Sequence, residues 1–187
     1  MAATKQKTEV LFHYYLQNGF NHTIEEIIEG LHVSHKTFFN RYQSKEHSVA
    51  MVCQYWHSII KERFREKMLE CNHAVEELLN FVYEVQSLRK HEKVLFQYEN
   101  AQHLFVTEQT PLMDILSVII DKGIRHYQFE ETVNKAVYSQ FFIQNLCDYL
   151  PYAYDQELTL RYLLLPLLSE RGRELLDEMN LESFLIK

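Results

Sequence analysis

The stretch VSHKTFFNRYQSKE, residues 33–46, contains two helix starts in fourteen residues. Ser34 carries a side-chain oxygen that can take up a free amide of the turn that follows, and HKTFFNRY then reads as a short helix. Phe38, Phe39 and Tyr42 give that helix an apolar side. Ser44 repeats the device for a next helix, with His47 at the third helical position. The stretch also gathers His35, Lys36, Arg41 and Lys45 in a chain whose net charge is −7.

Upstream, Thr8–Asn18 is mostly apolar without a breaker, and Gly19 stands where a glycine ends a helix. Thr23 and Glu26 have the capping-box spacing, in which hydroxyl and carboxylate each satisfy the other's backbone amide. Ile24, Ile27, Ile28 and Leu31 repeat at i, i+3, i+4, i+7 and define one buried face. A turn through His32 and Val33 joins this helix to the Ser34 helix. Two short helices around a tight turn, packed under a preceding helix, constitute a helix-turn-helix.

The remaining composition agrees with an all-α chain. The 187 residues include only four glycines and three prolines, too few for the turns of an all-β fold. Hydrophobic residues reach 47 %, enough for a core. Residues 1–50 are neutral overall and hold five of the ten histidines, so all the net acidity lies beyond them. That balance excludes a generally basic nucleic-acid coat but leaves room for a local basic site. Cys53, Cys71 and Cys147 are scattered without a C-x-x-C spacing, which points to a reducing cytoplasm and to neither a zinc cage nor a disulfide framework. No stretch reads as a signal peptide, and the apolar run Leu160–Leu168 is too short to span a bilayer.

A long helix is expected from near Lys45 to about Glu70. Further helices are expected near 74–90, 92–107, 112–126, 131–149, 155–168 and 170–179, with Pro111 and Pro151 at boundaries and Pro166 kinking or ending its helix. The segment Asp155–Met179 is more apolar than a small domain should expose, and is expected to supply a dimer interface of two helices per subunit.

Gly19-Phe20, Thr23, Ile27, Val33-Ser34, Thr37, Phe39, Tyr42 and Ser44-Lys45-Glu46 resemble the N-terminal signature of the tetracycline-repressor (TetR) family of regulators, without gaps across residues 8–47. LSVIIDKGIRHYQF is similar, more loosely, to a segment of that family's ligand-binding domain. His32 replaces the family's turn glycine, Ile28 a small residue, Lys36 a glycine, and Phe39 a tyrosine whose hydroxyl binds phosphate. The resemblance implies an all-α, non-enzymatic, ligand-responsive repressor, without cofactor, that binds a palindromic double-stranded DNA operator as a homodimer. It implies a DNA-binding domain at 1–47 and a helical effector-binding and dimerisation domain at 48–187. It also implies that Thr23, Ser34, His35, Lys36, Thr37, Phe39, Asn40, Arg41 and Lys45 form the DNA surface, with the Ser34 helix entering the major groove N-terminus first.

The aromatic content, 13 %, suggests an interior able to hold an apolar or aromatic effector, with His103, Tyr138 and Gln144 as candidate polar groups. Plain core packing is the competing explanation for most of these rings. A second class of function is a helical metal protein or enzyme with an incidental helix-turn-helix. Glu70 and His73 have the E-x-x-H spacing of di-iron bundles, but those sites need two such motifs and two more glutamates.

Overall fold

The computed structural model describes residues 2–102, 104 and 110–186. Ten α-helices follow in order: α1 (Ala2–Asn18), α2 (Ile24–Gly30), α3 (His35–Tyr42), α4 (Lys45–Leu69), α5 (Ala74–His91), α6 (Lys93–Ala101), α7 (Pro111–Arg125), α8 (Lys135–Asp148), α9 (Gln156–Leu164) and α10 (Glu170–Asp177). Short 3₁₀ turns occupy Leu150–Tyr152 and Leu181–Phe184. The architecture is all-α; among the described residues the sole β feature is an isolated bridge between Phe129 and Leu168. No helix is long and apolar enough to cross a membrane among those residues.

The prolines act as their chemistry requires. Pro111 opens α7 at a position that has no helical partner for an amide, and α9 ends two residues before Pro166. Helix α1 starts earlier than the apolar pattern alone suggests, and α8 starts later, because Asn134 caps it by accepting the Val137 amide at 3.2 Å.

Helix α4 is the spine. Ser48, Val52, Trp56, Ile60 and Phe64 stand four residues apart, so they form one stripe along the helix, and all five are buried. Toward its N-terminus α4 packs on α1; farther along it meets α5 and α7. The Trp56 indole N–H donates to the Glu92 carboxylate, which also accepts from Arg63 at 2.6 Å. Phe64, Phe81, Phe142 and Tyr138 continue the interior as a ladder of rings with centroids 5.3–6.5 Å apart. Each fully buried ring of this kind contributes roughly 1.5–3 kcal/mol relative to exposure.

One expectation is corrected here. Leu160, Leu163, Leu164, Leu167, Leu168 and Leu176 do not wait for a second subunit; they are buried in the chain's own core. The apolar excess of Asp155–Met179 is therefore mostly intramolecular. Leu158 and Tyr162 of α9 and Leu165 just past its end stay exposed, as do Val137 and Phe141 on α8. The two helices touch directly, since the Tyr138 hydroxyl donates to the Leu163 carbonyl at 2.9 Å.

Candidate nucleic-acid interface

Helix α2 begins with a complete capping box. The Thr23 amide donates to Glu26 Oε2 at 2.7 Å, and the Glu26 amide donates to Thr23 Oγ1 at 3.3 Å. These bonds to Thr23, backbone first, hold the Glu26 carboxyl below the ordinary glutamate range. The helix closes in a Schellman motif: Val33 N–H donates to the Ile28 carbonyl at 3.1 Å and His32 N–H to the Glu29 carbonyl at 3.0 Å. His32 stands at the left-handed position of that motif, with φ 52°. The backbone therefore makes a glycine's turn with a histidine, at some steric cost. At the same end, Gly30 is required by proximity: a Cβ there would lie 2.3 Å from the Tyr14 ring of α1.

Helix α3 is capped by Ser34, whose Oγ accepts the Thr37 amide at 3.1 Å and sits 2.9 Å from the Thr37 hydroxyl. Phe38 and Tyr42 face inward and are buried, and the Tyr42 hydroxyl donates to the Lys7 carbonyl at 3.3 Å. His35, Lys36, Phe39, Asn40 and Arg41 are all exposed, with Lys36 and Asn40 on the side away from Phe38 and Tyr42. The His35 and Phe39 rings lie parallel, 6.4 Å apart. Five of the nine residues named from sequence are thus exposed on α3. Thr23 and Ser34 are caps, with their hydroxyls engaged by backbone amides. Thr37 and Lys45 are half-buried.

The connection from α3 to α4 is tight. Gln43 has φ 61° and ψ −49°, and the Ser44 amide donates to the Tyr42 carbonyl at 2.6 Å. This is a γ-turn of the rare, strained hand, and nothing in the local sequence announces it. It sets the N-terminus of α4 immediately behind the exposed face of α3. Ser44 caps α4 through the His47 amide at 3.1 Å.

The electrostatics of the α3 start run against helix stability. Free amides and the macrodipole make a helix N-terminus positive, so acidic residues are favoured there and cations are not. Helix α3 has no acidic residue in its first turn and carries His35 and Lys36 instead; α4 begins with Lys45 and follows it with Glu46. Such an arrangement is complementary to an incoming anion, which can accept from backbone amides and lysines together.

Of the three residues proposed for an effector pocket, two are described, and they stand in different surroundings. Tyr138 is buried with its hydroxyl bonded to Leu163, and burial pushes its phenol well up. Gln144 is exposed on α8, and His103 lies outside the described residues. The E-x-x-H pair also separates: Glu70 ends α4 while His73 begins α5 and accepts the Glu76 amide at Nδ1. The pair does not share a helix face, which the di-iron arrangement needs. Instead the structure shows a cleft between α4, α6 and the α1–α2 loop that sequence reasoning did not anticipate.

All-helical proteins with this helix-turn-helix entry into a long fourth helix form a class of transcription regulators, and solved structures place the chain's fold within it. It superimposes on a TetR-family transcriptional regulator from Agrobacterium tumefaciens with a TM-score of 0.63 at 12 % identity, over 89 % of this chain and 100 % of that one. A gamma-butyrolactone receptor described as ArpA-like gives 0.65 at 12 % identity, over 98 % and 99 %. The ketosteroid transcriptional regulator KstR2 of Mycobacterium tuberculosis gives 0.55 at 15 % identity, over 90 % and 96 %. By sequence, no protein-family model and no curated protein matches the chain. The fold is that of the TetR-family regulators.

Proposed function

We propose that the chain is a ligand-responsive transcriptional regulator, a repressor, that binds a palindromic DNA operator as a homodimer. In this reading residues 1–47 are the DNA-binding domain and 48–187 the effector-binding and dimerisation domain. The observation that carries it is α3. A capped helix is anchored by Phe38 and Tyr42 while His35, Lys36, Phe39, Asn40 and Arg41 are exposed.

Each group then has a task set by its chemistry. Lys36 leads the helix and donates to guanine O6 or N7 in the major groove. Asn40, one turn later on the same face, suits adenine N6 and N7. Phe39 offers apolar contact to a thymine methyl in place of a hydroxyl contact to phosphate. Arg41 and Lys45 meet backbone phosphates, which fix register without reading sequence.

One such helix makes too few contacts for useful specificity, and symmetric dimers double them on half-sites about 34–36 Å apart. The outward apolar stripe Leu158, Tyr162 and Leu165 of α9, with Val137 and Phe141 of α8, supports a four-helix dimer contact. Selection of bound fragments from random DNA tests the reading. A two-fold symmetric motif is expected; recovery of no enriched motif contradicts it. For the dimer, Phe141→Glu combined with Tyr162→Glu should give a folded monomer by light scattering and circular dichroism. A wild-type mass already monomeric at micromolar concentration contradicts that part.

A further inference from the structure

The cleft between α4, α6 and the α1–α2 loop has a volume of about 520 Å³. That is the size of a small-molecule site. One wall is a continuous stripe of α4, from Lys45 and Glu46 through Ala50 and Cys53 to His57. The facing wall is Tyr98 and Glu99 of α6, and Phe20 closes the end nearest the helix-turn-helix.

Glu99 is the unusual member. It is fully buried, at 0 % exposure, and His57 Nε2 approaches its Oε1 at 3.1 Å. Its other oxygen, Oε2, has no hydrogen-bond partner among the described residues. Burial first, and then the proximity of Glu99 and a hydrogen bond to it, push the Cys53 thiol up, so the sulfur keeps its proton. Lys45 lines the same cleft from roughly three helical turns away from His57, too far along α4 to neutralise the carboxylate. A buried carboxylate held by His57 and the Cys53 thiol, with one oxygen that has no hydrogen-bond partner among the described residues, can take a further donor, and an incoming N–H cation would supply it.

We propose that this cleft is a binding site for a compact organic cation with an apolar or aromatic body, its ammonium or amidinium group donating to Glu99 and its body lying against Phe20 and Tyr98. The charged end follows from Glu99, which lines the cleft and has one oxygen without a hydrogen-bond partner among the described residues. The body follows from the rings: Phe20 stacks on Tyr98 at 4.1 Å and on Tyr15 at 5.0 Å. That aromatic column joins α1 of the helix-turn-helix to α6 across the mouth of the cleft. A ligand wedged there presses on the column and on the α4 stripe that ends at Lys45. The site names an effector class and a point of coupling, and its effect on DNA rests on the regulator reading above.

The test uses three indoles of one shape: tryptamine as the cation, tryptophol as the neutral form and indole-3-acetate as the anion. Calorimetry on the full chain should give tryptamine the tightest binding, by at least about tenfold over tryptophol. Glu99→Gln should remove that preference, and Ala50→Trp, which fills the cleft without changing a charge, should remove binding. Circular dichroism reports whether each variant is folded, and Ala50→Trp serves if Glu99→Gln is not. Absence of tryptamine binding to the wild type, equal affinity for tryptamine and tryptophol, or binding untouched by both variants overturns the proposal. DNA binding is measured separately on the selected fragments. Tryptamine binding that depends on Glu99 in a protein that retains no DNA supports the site and removes the regulator reading. Specific DNA binding without tryptamine binding leaves the regulator and removes the site.

Discussion

Helices α3 and α5 begin in the same way and continue differently. Each has a side-chain cap that accepts the amide three residues on: Ser34 at 3.1 Å from Thr37 N, and His73 at 3.1 Å from Glu76 N. After the cap, α5 places Glu76 and Glu77 in its first turn, and its last turn is Arg89, Lys90 and His91. That is the charge order the macrodipole favours at both ends. Helix α3 places His35 and Lys36 at its start. The difference separates a helix built to stay folded from one whose free end is prepared for an anion. It also fits the proposed DNA-reading surface to an acidic chain: the cations are few, but they stand where backbone amides add to them.

The largest effect expected along α3 comes from its anchor. Phe38 is fully buried, and Phe38→Ala should cost about 3–5 kcal/mol in denaturant unfolding. A loss under 1 kcal/mol would show that the helix is not held by its inner face. Next come the caps. Ser34→Ala should cost about 0.5–2 kcal/mol, as Ser and Thr caps usually do. His73→Ala provides the matching measurement on α5, and equal losses would sharpen the view that the two starts differ only after the cap.

Reversal of charge separates stability from function. Lys36→Glu should stabilise the fold by about 0.3–1 kcal/mol, since an acidic residue then faces the positive end of α3. The same variant should lose DNA binding altogether. A destabilised Lys36→Glu protein would break the comparison with α5.

The smallest effect is a pH dependence. Glu26 has a folded-state pKa below its unfolded value because the Thr23 amide and hydroxyl bind its charged form. Its contribution is therefore present above the ordinary glutamate range and lost as pH falls through the lowered folded value. Glu46, bonded at the Ser44 cap, adds in the same direction. Unfolding midpoints measured from neutral pH down through the carboxylate range should decline less for Glu26→Gln than for the wild type.

What could be read from the chain depended on how local the cause was. Thr23 with Glu26, Ser34 with Thr37 and Ser44 with His47 are contacts within one turn, so their spacing announced three helix starts. The strained turn at His32 was legible because the resemblance marked the position as a glycine's, and φ is 52° there. The γ-turn at Gln43 left no such mark. Apolar density misled at Asp155–Met179, since a leucine bound for the chain's own core looks the same in sequence as one bound for a partner. Leu164 and Leu168 prove to be core, while Tyr162 is not. The cleft was illegible for the opposite reason. Its parts, Phe20, His57 and Glu99, come from three separated segments, and only the fold brings them together. The one trace was the four-residue step from Cys53 to His57 on α4, which without a facing carboxylate means nothing.

The central claim is that the exposed start of α3 reads DNA while the start of α4 holds it. A binding series over salt, on matched and singly mismatched selected sites, tests this directly with Lys36→Ala and Lys45→Ala. Lys45→Ala should weaken every sequence alike and flatten the salt dependence by roughly one to two phosphates per dimer. Lys36→Ala should instead relax discrimination at one base pair in each half-site, by about 1–3 kcal/mol. The same loss on every sequence with the same change in salt slope, or no loss from either substitution, would contradict the account.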